Sequence, residues 1–136
     1  MIIDSVLNYG ISHTCSAYVK PVVYGRLPEI VSVSAMDLCT VFSNMLSNAI
    51  KGANLLEEEN ELVIRFQGGE QFFSICVTNQ TKKNENVERE KAENSDRNHG
   101  HGLKKIKEVA EKYTGEFEQT EDLEKGSFRM QIYLPI

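Results

Sequence analysis

Asn44 and Asn48 stand four residues apart in a stretch where Leu38, Val41, Phe42, Met45, Leu46, Ala49, Ile50 and Ala53 recur at i, i+3, i+4, i+7. On a helix that spacing puts the two carboxamides one turn apart at the edge of the apolar stripe, pointing into one partly buried place. An asparagine oxygen is a neutral hard donor suited to Mg²⁺, which keeps several waters and takes its other oxygens from substrate phosphates. The same pair can equally cap a loop or bond a neighbouring strand, and the spacing leaves both open.

A second group is Asn98-His99-Gly100-His101-Gly102-Leu103-Lys104, where alternate glycines end a polar stretch and open a helical period. Unhindered backbone N–H groups at a helix start, with the positive end of the helix dipole, can approach an anion such as a triphosphate. A short Gly-x-Gly also serves as a plain hinge. His99 and His101 lack a third histidine or cysteine at metal-binding spacing, so contact with a ligand is expected rather than metal ligation. His13 lacks a following acidic residue and is expected at the surface.

The elements that must position these groups follow from period and punctuation. Helical spacing marks Asp4 to Tyr18, and β-branched runs with prolines mark strands at Tyr18 to Tyr24 and Ile30 to Val33. Ser34, three residues before Asp37, opens the Asn44/Asn48 helix in a capping-box arrangement, and that helix runs from about Ala35 to Leu55. Glu61 to Phe66 and Gln71 to Thr78 form a hairpin, with Gly68-Gly69 tolerating positive φ at its turn. After Asn79 about twenty polar residues are too hydrophilic to bury anything and too long for a simple connection. A second helix spans Gly102 to Thr114, with Gly115 where a left-handed cap is wanted. Strands at Glu116 to Thr120 and Ser127 to Leu134 close the chain, with Met130, Ile132 and Leu134 on one face. The expected fold class is α+β, a two-layer sandwich with helices on one face of a mixed, mostly antiparallel sheet.

The 136 residues suit one core, and a single domain over 1–136 is expected. No apolar run approaches a membrane span, and no signal peptide is evident. The odd count of three cysteines, with no CxxC pair, argues against a disulfide framework or zinc site. Cys39 and Cys76 read as small core residues. The net charge of −5, spread through mixed-sign segments, makes nucleic acid an unsuitable partner.

Asp37 to Asn54, DLCTVFSNMLSNAIKGAN, resembles the N box of the GHKL ATPases, and His99 to Glu118, HGHGLKKIKEVAEKYTGEFE, resembles their G2 box with the following helix and strand. IIDSVLNYGISH and FRMQIYLPI extend the likeness to the ATPase domains of AgrC-type, peptide-responsive sensor histidine kinases. The resemblance implies a Bergerat-type ATP-binding fold with ATP and Mg²⁺ as ligands. It implies Asn48 as the Mg²⁺ ligand, Asn44 as the polar residue facing the phosphates, and Lys51 as a phosphate-reaching lysine one turn on. The backbone of Gly100, His101, Gly102, Leu103 and Lys104 would hold the β- and γ-phosphates, and about 80–99 would be the ATP lid. Two departures stand out. Asn79-Gln80-Thr81-Lys82 replaces the Asp-x-Gly-x-Gly of the G1 box, leaving Asn79 to accept the adenine amino group without charge assistance. Ser47, Lys51 and Gly52 also replace residues of the related Leu-Asp-Asn-Ala-Ile-Glu-Ala.

The implied role is the catalytic domain of a two-component histidine kinase, a protein-histidine kinase passing γ-phosphoryl to a histidine on a separate dimerisation helix. On this reading the chain is a fragment, inactive without that helix. The whole protein is then expected to be a homodimeric, membrane-attached sensor with a response regulator as partner, this domain being cytoplasmic. The alternatives are a degenerate, non-catalytic GHKL binding module and a serine kinase of the anti-sigma-factor type on the same fold.

Overall fold

The computed structural model describes residues 18–28, 32–82 and 101–136, without the side chain of His101. The expected helix from Asp4, with His13 and Cys15, lies outside the described residues, as do Ile30 and Val31, Lys83 to Asn98, His99 and Gly100.

Strand β1 (Val19–Tyr24) leads to helix α1 (Ala35–Asn54), then strands β2 (Asn60–Gly68) and β3 (Phe72–Gln80). Helix α2 (His101–Lys112) and strands β4 (Glu116–Asp122) and β5 (Ser127–Pro135) complete the order. The strands form one five-stranded sheet in the order β1-β2-β3-β5-β4. β1 pairs parallel to β2, as a connection through a helix allows, and the other pairs are antiparallel. Pro21 is accommodated because β1 is an edge strand. The fold class expected from the sequence is the one observed.

Alternation divides the sheet. Leu62, Ile64 and Phe66 of β2, Phe73, Ile75 and Val77 of β3, and Met130, Ile132 and Leu134 of β5 are buried in one cluster. Facing them are Leu38, Val41, Phe42, Met45, Leu46, Ala49, Ile50 and Ala53 of α1 and Ile106, Val109 and Ala110 of α2. Phe42 and Phe66 meet with ring centroids 5.7 Å apart and planes tilted by 52°. Burial of these faces is the main drive to fold.

Four local expectations are corrected. Ser32 and Val33 form bends, not strand: Ser32 Oγ donates to Pro135 O at 3.3 Å, and Val33 is buried beside the cap of α1. Val33 and Leu38 occupy the two positions of a hydrophobic staple around Ser34, which explains the apolar run without a strand. Second, Gly68 and Gly69 do not use positive φ; Gly25 (φ 76°) and Gly126 (φ 69°) do, among the described residues. Third, Thr114 (φ 56°), not Gly115, is the left-handed cap of α2. Gly115 N donates to Ala110 O (2.7 Å) and Thr114 N to Glu111 O (3.2 Å), a Schellman pair. Gly115 is there for space, since a Cβ would lie 2.2 Å from Tyr133 O. Fourth, Cys39 and Cys76 are only half-buried free thiols, Cys76 because it lies on the sheet face turned away from the helices.

Helix α1 starts as read, Ser34 Oγ accepting from Asp37 N at 3.1 Å. The return half of the capping box is relayed through α2: Ser34 N donates to Tyr113 Oη (3.1 Å), and Tyr113 Oη donates to Asp37 Oδ2 (2.5 Å). Lys112 Nζ also reaches Asp37 Oδ2, at 2.9 Å. Donation from Tyr113, and then from Lys112, holds the Asp37 carboxyl down at about 2.

Candidate nucleotide site

Helix α1 buries its apolar stripe against the sheet and leaves Asn44 and Asn48 half-buried along its edge, with Gly52 completing a row at four-residue spacing. Two other elements meet this row. The start of α2 abuts its first turn: a Cβ on Gly102 would come 2.9 Å from Asn44 Oδ1. The end of β3 abuts its last turn: a Cβ on Gly52 would come 2.5 Å from Asn79 Nδ2. Both glycines are needed for close approach, and neither for an unusual φ.

The carboxamides differ in freedom. Asn44 Nδ2 donates back to Thr40 O at 2.6 Å, a bond that turns its oxygen toward Gly102. Asn79 is 2% exposed, and its Nδ2 donates to Gln80 O at 3.2 Å, leaving Oδ1 as the acceptor end. Asn48 makes no side-chain hydrogen bond among the described residues. Among the described residues Asn44 bonds only its own helix and neither asparagine bonds a strand, while the loop at 83–100 that the pair could cap lies outside the described residues.

The first turn of α2 contains no acidic side chain. No carboxylate from within that turn therefore answers its N–H groups and positive dipole end. Leu103 is buried and anchors this turn, while Lys104 and, on α1, Lys51 project to solvent. The structure thus sets Gly102 at one end and Asn79 at the other end of the row that holds Asn44 and Asn48, with Leu103 buried beneath the start of α2 and Lys104 at the rim; Lys51 stays exposed at the end of α1. Gln80 belongs to β3, and Thr81 N donates to Gly126 O at 2.8 Å, so any lid starts later than residue 80. The sequence reading overlooked Gly52 as a packing partner of Asn79. Its signal was the 44-48-52 spacing, which places it on the same row.

No three of the described histidine, cysteine, aspartate and glutamate residues gather as a metal cluster, so an all-protein cage is absent from this part of the chain. What is present is a neutral carboxamide oxygen donor set beside a helix start, which suits a Mg²⁺ ion that arrives with phosphate. No helix among the described residues is long and apolar enough to cross a membrane.

Comparison with known proteins bears on this arrangement. Comparison with curated proteins gave no match. The catalytic domain of histidine kinase ThkA superposes with a TM-score of 0.68 at 14% identity, covering 98% of this chain and 89% of that one. The histidine kinase domain of the blue-light activated kinase EL346 from Erythrobacter litoralis gives a TM-score of 0.71 at 14% identity, with coverage of 98% and 61%. The Acinetobacter baumannii histidine kinase AdeS gives 0.66 at 11% identity, with coverage of 98% and 62%. These likenesses are of fold. The family is fixed by sequence: residues 33–135 match the GHKL domain, and the chain belongs to that family.

Proposed function

We propose that this chain is the MgATP-binding catalytic domain of a sensor histidine kinase. The observation that carries the reading is the approach of Gly102, at the start of α2, to the Asn44 carboxamide, which joins a phosphate-binding helix start to the Asn44/Asn48 row. Asn48, without a side-chain hydrogen bond among the described residues, would ligate the metal, with Asn44 facing the phosphates. The amides from Gly100 to Lys104 would hold the β- and γ-phosphates, with Lys51 and Lys104 adding charge at the rim. Asn79 Oδ1 would accept the adenine amino group, its Nδ2 being committed to Gln80 O. Bound Mg²⁺ supplies neutralisation of the phosphate oxygens.

Such a site works by positioning and electrostatics. An imidazole nitrogen from a histidine on a separate dimerisation helix forms the bond to γ-phosphorus as the bond to the β–γ bridging oxygen breaks and ADP leaves. In this reading residues 1–136 are one domain of a longer, homodimeric, membrane-attached sensor, this part lying in the cytoplasm, with a response regulator as the next acceptor. A second reading, a non-catalytic GHKL binding module, is favoured by one observation: the adenine-reading position holds a carboxamide, not a carboxylate.

Calorimetric titration of MgATP and MgADP into the domain tests both. Kinase function predicts dissociation constants of micromolar to low-millimolar order, weakened about 10–100-fold by Asn48→Ala, the range expected for losing a contact to a charged group. Binding without phosphoryl transfer after the dimerisation helix is supplied rejects the kinase reading, and no binding at several millimolar rejects it and favours the non-catalytic module.

A further inference from the structure

The sheet face turned away from the helices carries a second constellation. Along β3, Phe73, Ile75, Val77 and Asn79 point to the core, so Cys76 and Thr78 point outward. They floor a groove of about 260 Å³ whose walls are Arg65 and Gln67 of β2 and Arg129 and Gln131 of β5. Register fixes the arrangement: Arg65 pairs with Cys76, Cys76 with Gln131, and Thr78 with Arg129. The arginines therefore stand diagonally across β3, two strands and one register step apart. With strands about 4.8 Å apart and about 6.8 Å per two residues, their Cα atoms are roughly 12 Å apart, one on each side of the Cys76 and Thr78 floor.

The floor supplies a thiol and a hydroxyl, Cys76 Sγ and Thr78 Oγ1 being 3.9 Å apart. The Arg65 guanidinium lies over the Tyr24 ring of β1, 5.0 Å from its centroid, at the outer edge of the groove, so it swings inward to meet an anion shared with Arg129. No carboxylate lines the groove, and none of the described residues forms an ion pair with either arginine. In a chain of net charge −5, two arginines with no ion-pair partner among the described residues line one groove with two carboxamides and a hydroxyl.

We propose that the open face of the sheet, through Arg65 and Arg129 over Thr78 and Cys76, is a binding site for a small phosphoryl-bearing anion, separate from the site on the helix side. A dianion in the groove attracts both guanidinium groups, which match phosphate oxygens in fork geometry. The carboxamides of Gln67 and Gln131 and the Thr78 hydroxyl donate to the remaining oxygens. The groove admits a phosphate with a substituent of a few heavy atoms.

The test is titration of the isotope-labelled domain with inorganic phosphate at constant ionic strength, chloride serving as control, followed by amide and arginine side-chain signals. The site predicts saturable shifts at Cys76, Thr78, Arg129 and Gln131 with a dissociation constant of millimolar order. Arg65→Gln and Arg129→Gln each weaken it about tenfold and together abolish it, while Asn48→Ala and saturating MgATP leave it in place. Both arginines are exposed, so the variants keep the dispersed spectrum of the parent. Shifts that chloride reproduces, that survive the double variant, or that fall only at Gly102 to Lys104 overturn the proposal. The last of these would still support phosphate binding on the helix side.

Discussion

Gly52 and Gly102 each face a carboxamide, yet their substitution by alanine has opposite consequences. At Gly102 the added methyl meets the tip of the half-buried Asn44 side chain, which can turn aside, and alanine favours the helix. Gly102→Ala is expected to leave thermal stability unchanged or slightly raised while weakening MgATP binding about tenfold or more, read by paired melting and calorimetry. At Gly52 the methyl meets Asn79 Nδ2 at 2.5 Å, and Asn79 is 2% exposed with nowhere to go. Gly52→Ala is expected to cost about 1–3 kcal/mol, read from urea unfolding. Asn44 and Asn48 were legible in the sequence as one row of a helix. That Gly102 and Asn79 come to opposite ends of that row was not legible, because those contacts link residues far apart in the chain.

At the scale of the elements, the two helices are tied where α1 begins and α2 ends. Ser34 and Asp37 announced the cap of α1, but the partner that completes it, Tyr113, is 76 residues from Asp37. The Asp37 carboxyl is lowered from 3.8 to about 2, chiefly by the Tyr113 hydroxyl and then by Lys112. A depressed folded-state value means that this contribution is fully present above 3.8 and fades as the pH falls toward 2. The gap in urea midpoint between the parent and Asp37→Asn should therefore be constant above about pH 5 and close toward about pH 2. Lys112 is 62% exposed, so its own ion pair adds little and Lys112→Met should move the midpoint less than Tyr113→Phe. At the other end of this connection Thr114 sits at φ 56°, where a β-branched residue is disfavoured. Thr114→Gly should raise stability by about 0.5–1 kcal/mol. Gly115→Ala, meeting Tyr133 O, should lower it by about 1–3 kcal/mol.

At the scale of the whole molecule, one side of the sheet is packed and the other is open. Ile132, with no exposed surface in the middle of β5, belongs to the packed side. Ile132→Ala should cost about 2–5 kcal/mol, with helix and aromatic signals still unfolding together because both helices share that core. β4 closes the sheet edge with Glu116, Glu118, Glu121 and Asp122, charges that discourage pairing with another strand.

The sequence by itself determined the two described helices and the faces of β2, β3 and β5, though not the bends at Ser32 and Val33. The period of α1, the alternation of β2, β3 and β5, the Ser34 cap and the GHKL family membership are all local patterns, written in neighbouring residues. Only the tertiary structure decided what meets across the chain: Gly102 against Asn44, Asn79 against Gly52, Tyr113 on Asp37, and Arg65 diagonal to Arg129. It also decided that Val33 staples a helix and that Gly115 serves clearance, not turn geometry. The physical reason is common to these cases. A side chain's intrinsic preference is set by its own backbone, but the space and partners it finds are set by elements that arrive from elsewhere in the chain.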